Sequence, residues 1–182
     1  MKKENIPNIL TIIRFILVPF IYTSVINKQY LTALIIFTIS AITDILDGFI
    51  ARKFNYITDI GKLMDPLADK LTQISLLLAL SFLKILPWWI FAVVFIKELV
   101  LVISASVLYS KKDVVVYSKW YGKLATTLFY LAIVVSLITH QFNIAMPFRI
   151  DLYLYYLAIL ATIFSLVMYS IKFKFKTKKV AN

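Results

Sequence analysis

The sequence predicts an all-α integral membrane protein of six transmembrane helices with both termini in the cytoplasm. Three observations carry that reading. The 182 residues are 62% hydrophobic with a mean hydropathy of +0.88, well above the roughly 45–50% apolar usage of soluble domains. Six apolar runs, approximately 9–27, 30–50, 66–86, 87–109, 120–140 and 149–171, each match the bilayer core, about 30 Å thick or about 20 helical residues. They lack the polar stripe at helical period that a large soluble helical core would require. Finally, with the N-terminus inside, only Lys28, Lys84 and Arg149 face outward. Lys2, Lys3, Arg52, Lys53, Lys62, Lys111, Lys112, Lys119 and the tail "KFKFKTKK" stay inside, which is the bias of the positive-inside rule. One membrane domain over residues 1–182 accounts for the chain.

The first run begins with a predicted amphipathic lead-in, Asn5 to Arg14, and is retained as a helix: Arg14 and Pro19 interrupt it, and no small-residue cleavage site of a signal peptide follows. The second run ends in acidic residues, and a short basic loop leads to the third, which starts in them. The fourth contains the charged pair Lys97 and Glu98. The fifth opens on Gly122 and Lys123 and closes at His140, read as a solvated loop residue on the outer side. The sixth runs into the basic tail, a topology anchor that also suits an anionic leaflet, where each Lys or Arg near the surface contributes about 1 kcal/mol. The net charge of +11 is thus accounted for by topology, and no nucleic-acid partner is expected. Without cysteine there is no disulfide framework and no thiolate metal site. The aromatic residues, 15% of the chain, suit interfacial belts and lipid-facing packing.

The stretch "TDILDGFIARKFNYITDIGKLMDPLAD" (Thr43 to Asp69) holds five of the nine acidic residues. Asp44 and Asp47 are three apart and Asp65 and Asp69 four apart, so each pair projects from one helix face. The second and third helices, joined by a short connection, are expected to be antiparallel neighbours, which lets the pairs converge. A charged carboxylate costs about 2.5–3.5 kcal/mol at the bilayer centre even on the mild insertion scale, and four together repel, so a cation is required among them. Hard divalent ions that take carboxylate oxygens and substrate phosphates, Mg²⁺ or Mn²⁺, fit best. Zinc fits poorly with a single histidine on the opposite side. Gly48 and Gly61 are two of only three glycines, and Gly48, inside a helical pattern, lets a ligand approach the backbone. Arg52, one turn on, is placed to meet a phosphate as a planar fork.

Asp44, Asp47, Gly48, Ala51, Arg52, Gly61, Asp65 and Asp69 match D-x-x-D-G-x-x-A-R-x8-G-x3-D-x3-D at every fixed position. This resembles the CDP-alcohol phosphatidyltransferases. "NIPNILTIIRFILVPF" looks like the opening of phosphatidylglycerophosphate synthases and CDP-dependent cardiolipin synthases, and "IKE" and "YGKLAT" look like their weaker downstream motifs. The resemblance implies a six-helix enzyme of the bacterial inner membrane, a homodimer, with a cytoplasm-facing cavity holding one or two Mg²⁺ or Mn²⁺ ions on the pyrophosphate of CDP-diacylglycerol. It implies Asp44, Asp47 and Asp65 as metal ligands. Asp69 is implied as general base with a share in the metal, and Asp47, Gly48, Ala51, Arg52 and Gly61 as CDP-binding positions.

For the acceptor, glycerol 3-phosphate is expected, its phosphate held by the remaining cations Lys97, Lys119 and Lys123. Yet Ala105 and Ala125 stand near where glycerophosphate enzymes carry a second arginine and a second lysine. That depletion favours phosphatidylglycerol, a monoanionic diester, over a dianionic monoester that wants several cations. Glycerol 3-phosphate stays ahead because small chains with this N-terminus are more often the glycerophosphate enzyme, and cardiolipin synthesis is the alternative. A cation transporter would explain the aspartates but not Gly48, Ala51 and Arg52, and the halves show no inverted repeat. An intramembrane prenyltransferase normally has more helices and two separated aspartate motifs.

Overall fold

The computed structural model describes residues 6–54, 56, 59–110, 120–144 and 149–180. They form six helices: α1 (Ile6–Ile26), α2 (Tyr30–Phe54), α3 (Asp59–Phe82), α4 (Trp88–Ser110), α5 (Trp120–Gln141) and α6 (Ile150–Val180). Four segments among the described residues, Pro7–Ile26, Tyr30–Ala51, Gly122–Gln141 and Ile150–Met168, are long and apolar enough to cross a membrane. Among the described residues every regular element is a helix, and the chain is multi-pass by length and composition. Two helices extend well over a turn beyond their apolar runs. α3 starts at Asp59, because its first turns are amphipathic and escape a hydropathy window, and α6 continues through the basic tail to Val180.

The chain divides into two compact units, one comprising Met1–Phe95 with Ser136–Ala145 and the other Ile96–Val135 with Met146–Asn182. In the first, α1 packs against both α2 and α3. The buried positions combine small residues, Ala33 and Ser40 on α2 and Ala68, Thr72, Ser75 and Ala79 on α3, with the larger Leu76, Leu77 and Leu80 of α3. The bulky Ile35, Ile39, Ile42 and Ile45 of α2 point outward. Lipid tails are as apolar as leucine, so close backbone approach contributes to the packing of membrane helices, and the small residues permit it. Two buried hydroxyls are satisfied within their own helices, Ser24 donating to the Phe20 carbonyl and Thr72 to that of Ala68, as a water-free interior favours.

Three helix ends in this unit close in the same way. Lys28, Lys84 and Asn143 adopt left-handed φ of 59°, 58° and 47°. The next residue's N–H then reaches back across the last turn, from Gln29 to Ser24, from Ile85 to Leu80 and from Ile144 to Thr139. Glycine usually fills this position, and this chain spends none of its three there. At the same end, Gln141 Oε1 accepts from the Leu31 N–H at 2.9 Å, capping α2. His140 packs its ring edge-on against Tyr30 with centroids 5.9 Å apart. His140 is thus a packed residue in the last turn of α5 and not the solvated loop residue expected. Its position beside Tyr30, fourteen residues before Asp44 on α2, keeps it far from the aspartates.

In the second unit the buried side chains are mixed small, aliphatic and aromatic: Ala125, Phe129, Ala132 and Ile133 on α5, and Tyr155, Ala158, Ile159, Thr162 and Ser165 on α6. Asp151 lies in the first turn of α6, where a carboxylate complements the helix dipole, and it accepts from Arg149 at 2.9 Å.

Candidate active site

The aspartates meet at a residue the sequence reading passed over. Arg14 of α1 is among the largest fully buried side chains, with 2% of its surface exposed. Its Nη1 donates to Asp44 Oδ1. Its Nη2 donates to Asp47 Oδ2 at 2.6 Å and to Asp65 Oδ1 at 3.1 Å. Thr11, three residues earlier on the same face of α1, donates to the same Asp65 oxygen at 2.6 Å. Carboxylates from α2 and α3 therefore converge, as the spacing predicts, but the helix that joins them is α1.

The four acids differ in their surroundings. Asp47 is buried with Arg14, whereas the side chains of Asp44 and Asp65 are 51% and 42% exposed. Asp69, one turn beyond Asp65 on α3, is half-buried, and its charge and that of Asp65 both act on Asp44. Each of the three carboxylates bound to Arg14 commits one oxygen to it. The Arg14 Nε–H, buried as well, has no acceptor among the described residues.

The donor set is chemically right for a hard divalent ion: carboxylate oxygens from two helices gathered around a single positive charge. Among the described residues, however, no three acidic or histidine groups stand together as a ready-made ion site. In this arrangement the carboxylates serve the guanidinium. The sequence does carry a signal for Arg14, a lone cation inside an apolar span, which by default marks a functional position.

Of the nucleotide positions, Gly48 and Ala51 are half-buried on α2 and Gly61 is buried on α3. Arg52 lies in α2, with its side chain outside the described part of the structure, and Lys119 falls outside the described residues altogether. The other two lysines belong to the second unit. Lys97 is half-buried on α4 and pairs with its buried neighbour Glu98 at 2.5 Å. Lys123 is exposed at the start of α5, beside the half-buried Gly122.

Comparison with known proteins adds to this geometry. The sequence profile of the family described as CDP-alcohol phosphatidyltransferase matches residues 4–168. A CDP-diacylglycerol–glycerol-3-phosphate 3-phosphatidyltransferase of Haemophilus influenzae is 33% identical over 176 residues, 92% of both chains. One of the same name from Aquifex aeolicus is 45% identical over 78 residues, 43% of this chain and 44% of the relative. A CMP-forming cardiolipin synthase of Streptomyces coelicolor is 34% identical over 110 residues, 57% of this chain and 51% of the relative. The matches thus span about half of the Aquifex and Streptomyces proteins and nearly all of the Haemophilus one.

Proposed function

The chain belongs to the CDP-alcohol phosphatidyltransferase family, and on that premise we propose that it transfers the phosphatidyl group of CDP-diacylglycerol to glycerol 3-phosphate and releases CMP. The observation that carries this reading is the convergence of Asp44, Asp47 and Asp65 on one buried cation. The likeness to the Haemophilus glycerol-3-phosphate enzyme over nearly the whole chain supports the choice of acceptor.

In the proposed reaction the acceptor hydroxyl oxygen forms a bond to the β-phosphorus, the bond between that phosphorus and the CMP oxygen breaks, and CMP departs with the electron pair. Asp69, set one turn from the carboxylates that grip Arg14, takes the hydroxyl proton as general base. Gly48, Ala51 and Gly61 present little or no side chain, so the nucleotide can lie close to α2 and α3, and Arg52 meets its phosphate as a fork. Asp44, Asp47 and Asp65, with a share from Asp69, would hold one or two Mg²⁺ or Mn²⁺ ions, which supply charge neutralisation on the pyrophosphate. Lys123, with Lys119 and Lys97, binds the phosphate of the acceptor.

All six helices cross the bacterial inner membrane in this proposal. Both termini and the site face the cytoplasm, and two copies form a homodimer. The inside excess of Lys and Arg supports the orientation. The second reading, cardiolipin synthesis with phosphatidylglycerol as acceptor, is favoured by Ala125, buried where a second lysine would serve a phosphomonoester. The two separate in one experiment: purified protein is given CDP-diacylglycerol with either acceptor and the lipid products are resolved by mass. Phosphatidylglycerophosphate is the expected product. Cardiolipin, with nothing made from glycerol 3-phosphate, would replace the first reading by the second.

A further inference from the structure

We propose that Arg14 is the resident counter-cation of the aspartate cluster, and that a divalent ion binds by drawing the carboxylates away from it. The inference rests on the metal-binding reading of Asp44, Asp47 and Asp65. It concerns a residue outside the eight-position aspartate motif, on a different helix. Four observations carry it. The guanidinium takes one oxygen from each of three carboxylates, so oxygens that a metal would use are occupied by a cation built into the chain. No three acids among the described residues stand ready as an ion site without rearrangement. Asp44 and Asp65 are about half exposed, which leaves them room to swing outward, while Arg14 is held at 2% exposure. The Arg14 Nε–H is buried without an acceptor among the described residues, so the guanidinium is not fully satisfied by its present partners.

Charge supports the same arrangement. Three ionised carboxylates and one guanidinium leave a formal charge of −3 + 1 = −2 at the cluster, enough to attract a divalent ion. Without Arg14 the repulsion among the acids would be unopposed in a region of low dielectric, where like charges interact strongly. Arg14 therefore keeps the metal-free site assembled and lowers its affinity for the ion that displaces it. It acts as a positioning residue of the site, not as a group touching substrate.

The test is Mn²⁺ binding to the detergent-purified full chain, read by calorimetry and by the paramagnetic signal of free Mn²⁺, for wild type, Arg14→Gln and Arg14→Lys. Thermal unfolding is measured in parallel with and without the ion. The expected result for Arg14→Gln is a dissociation constant at least tenfold lower, with a lower unfolding temperature in the absence of metal and a larger rise when Mn²⁺ is added. Arg14→Lys keeps the charge but loses the fork, and should fold where the glutamine variant fails to. It is expected to bind Mn²⁺ severalfold more tightly than wild type. Unchanged or weaker binding in the variant that folds, with wild type binding normally, would overturn the role of Arg14 and leave the metal reading standing. Absence of Mn²⁺ binding in wild type would overturn both.

Discussion

Asp69 and Asp65 are one helical turn apart on α3 and have different work in this account. Asp65 is bonded to Arg14 and Thr11, whereas Asp69 is assigned the proton of the acceptor hydroxyl. Asp69→Asn is therefore expected to retain CDP-diacylglycerol binding and to lose about 10²–10⁴-fold in turnover, the usual contribution of general base catalysis. Asp44→Asn should weaken nucleotide binding as well. Equilibrium binding beside turnover separates the two, and near-normal turnover in Asp69→Asn would remove its assignment as base. Arg52→Lys keeps the charge and loses the planar fork. A hydrogen bond to a charged group contributes about 1.5–3 kcal/mol, so the Michaelis constant for CDP-diacylglycerol should rise about tenfold or more. An unchanged constant would mark Arg52 as a topology residue only. The aspartate pairs were legible in the sequence because three- and four-residue spacing fixes a helix face. Arg14 was not, because its partners lie thirty and more positions away, and nothing local tells a charge that interrupts a span from one that organises a site.

At the scale of the element, α3 shows why its two ends had to be read differently. Its second half is a plain apolar run, visible to hydropathy, but its first turns from Asp59 mix acids, lysines and leucines, and only the turn-by-turn spacing of the acids betrays a helix there. The relation between helices was legible only in part. The short link between α2 and α3 suggested that these two would bring the acids together, whereas α1 packs on both and joins them through Arg14. Nor did the sequence single out the row of small residues on α3, since Ala68, Thr72, Ser75 and Ala79 look unremarkable in a chain this apolar until burial identifies them as a contact face. Ala79 is fully buried, so Ala79→Leu should overpack that face and cost about 1–3 kcal/mol. Thermal unfolding in detergent would register this as a lowered midpoint, while Ile45→Leu, on the outward face of α2, should leave the midpoint nearly unchanged. Equal effects of the two substitutions would contradict the assignment of inner and outer faces.

For the molecule as a whole, the proposed chemistry requires a cation beyond Arg14 once a pyrophosphate enters, because substrate and carboxylates are all anionic. Activity is therefore expected to be lost in EDTA and restored by excess Mg²⁺ or Mn²⁺, and full activity in chelator would end the metal reading. Helix count and the clustering of acids between α2 and α3 were legible from composition and charge. The acceptor was not, because it depends on Lys97, Lys119 and Lys123, and whether such lysines reach a phosphate is a matter of tertiary placement rather than spacing. The most direct measurement of the central claim is CMP release from the purified protein in vesicles containing CDP-diacylglycerol, with and without glycerol 3-phosphate, alongside the lipid product. The account predicts one CMP per phosphatidylglycerophosphate formed and none without an acceptor. Movement of a divalent cation across the vesicle membrane with no CMP released under any condition would contradict it, and would make the aspartates a transport site.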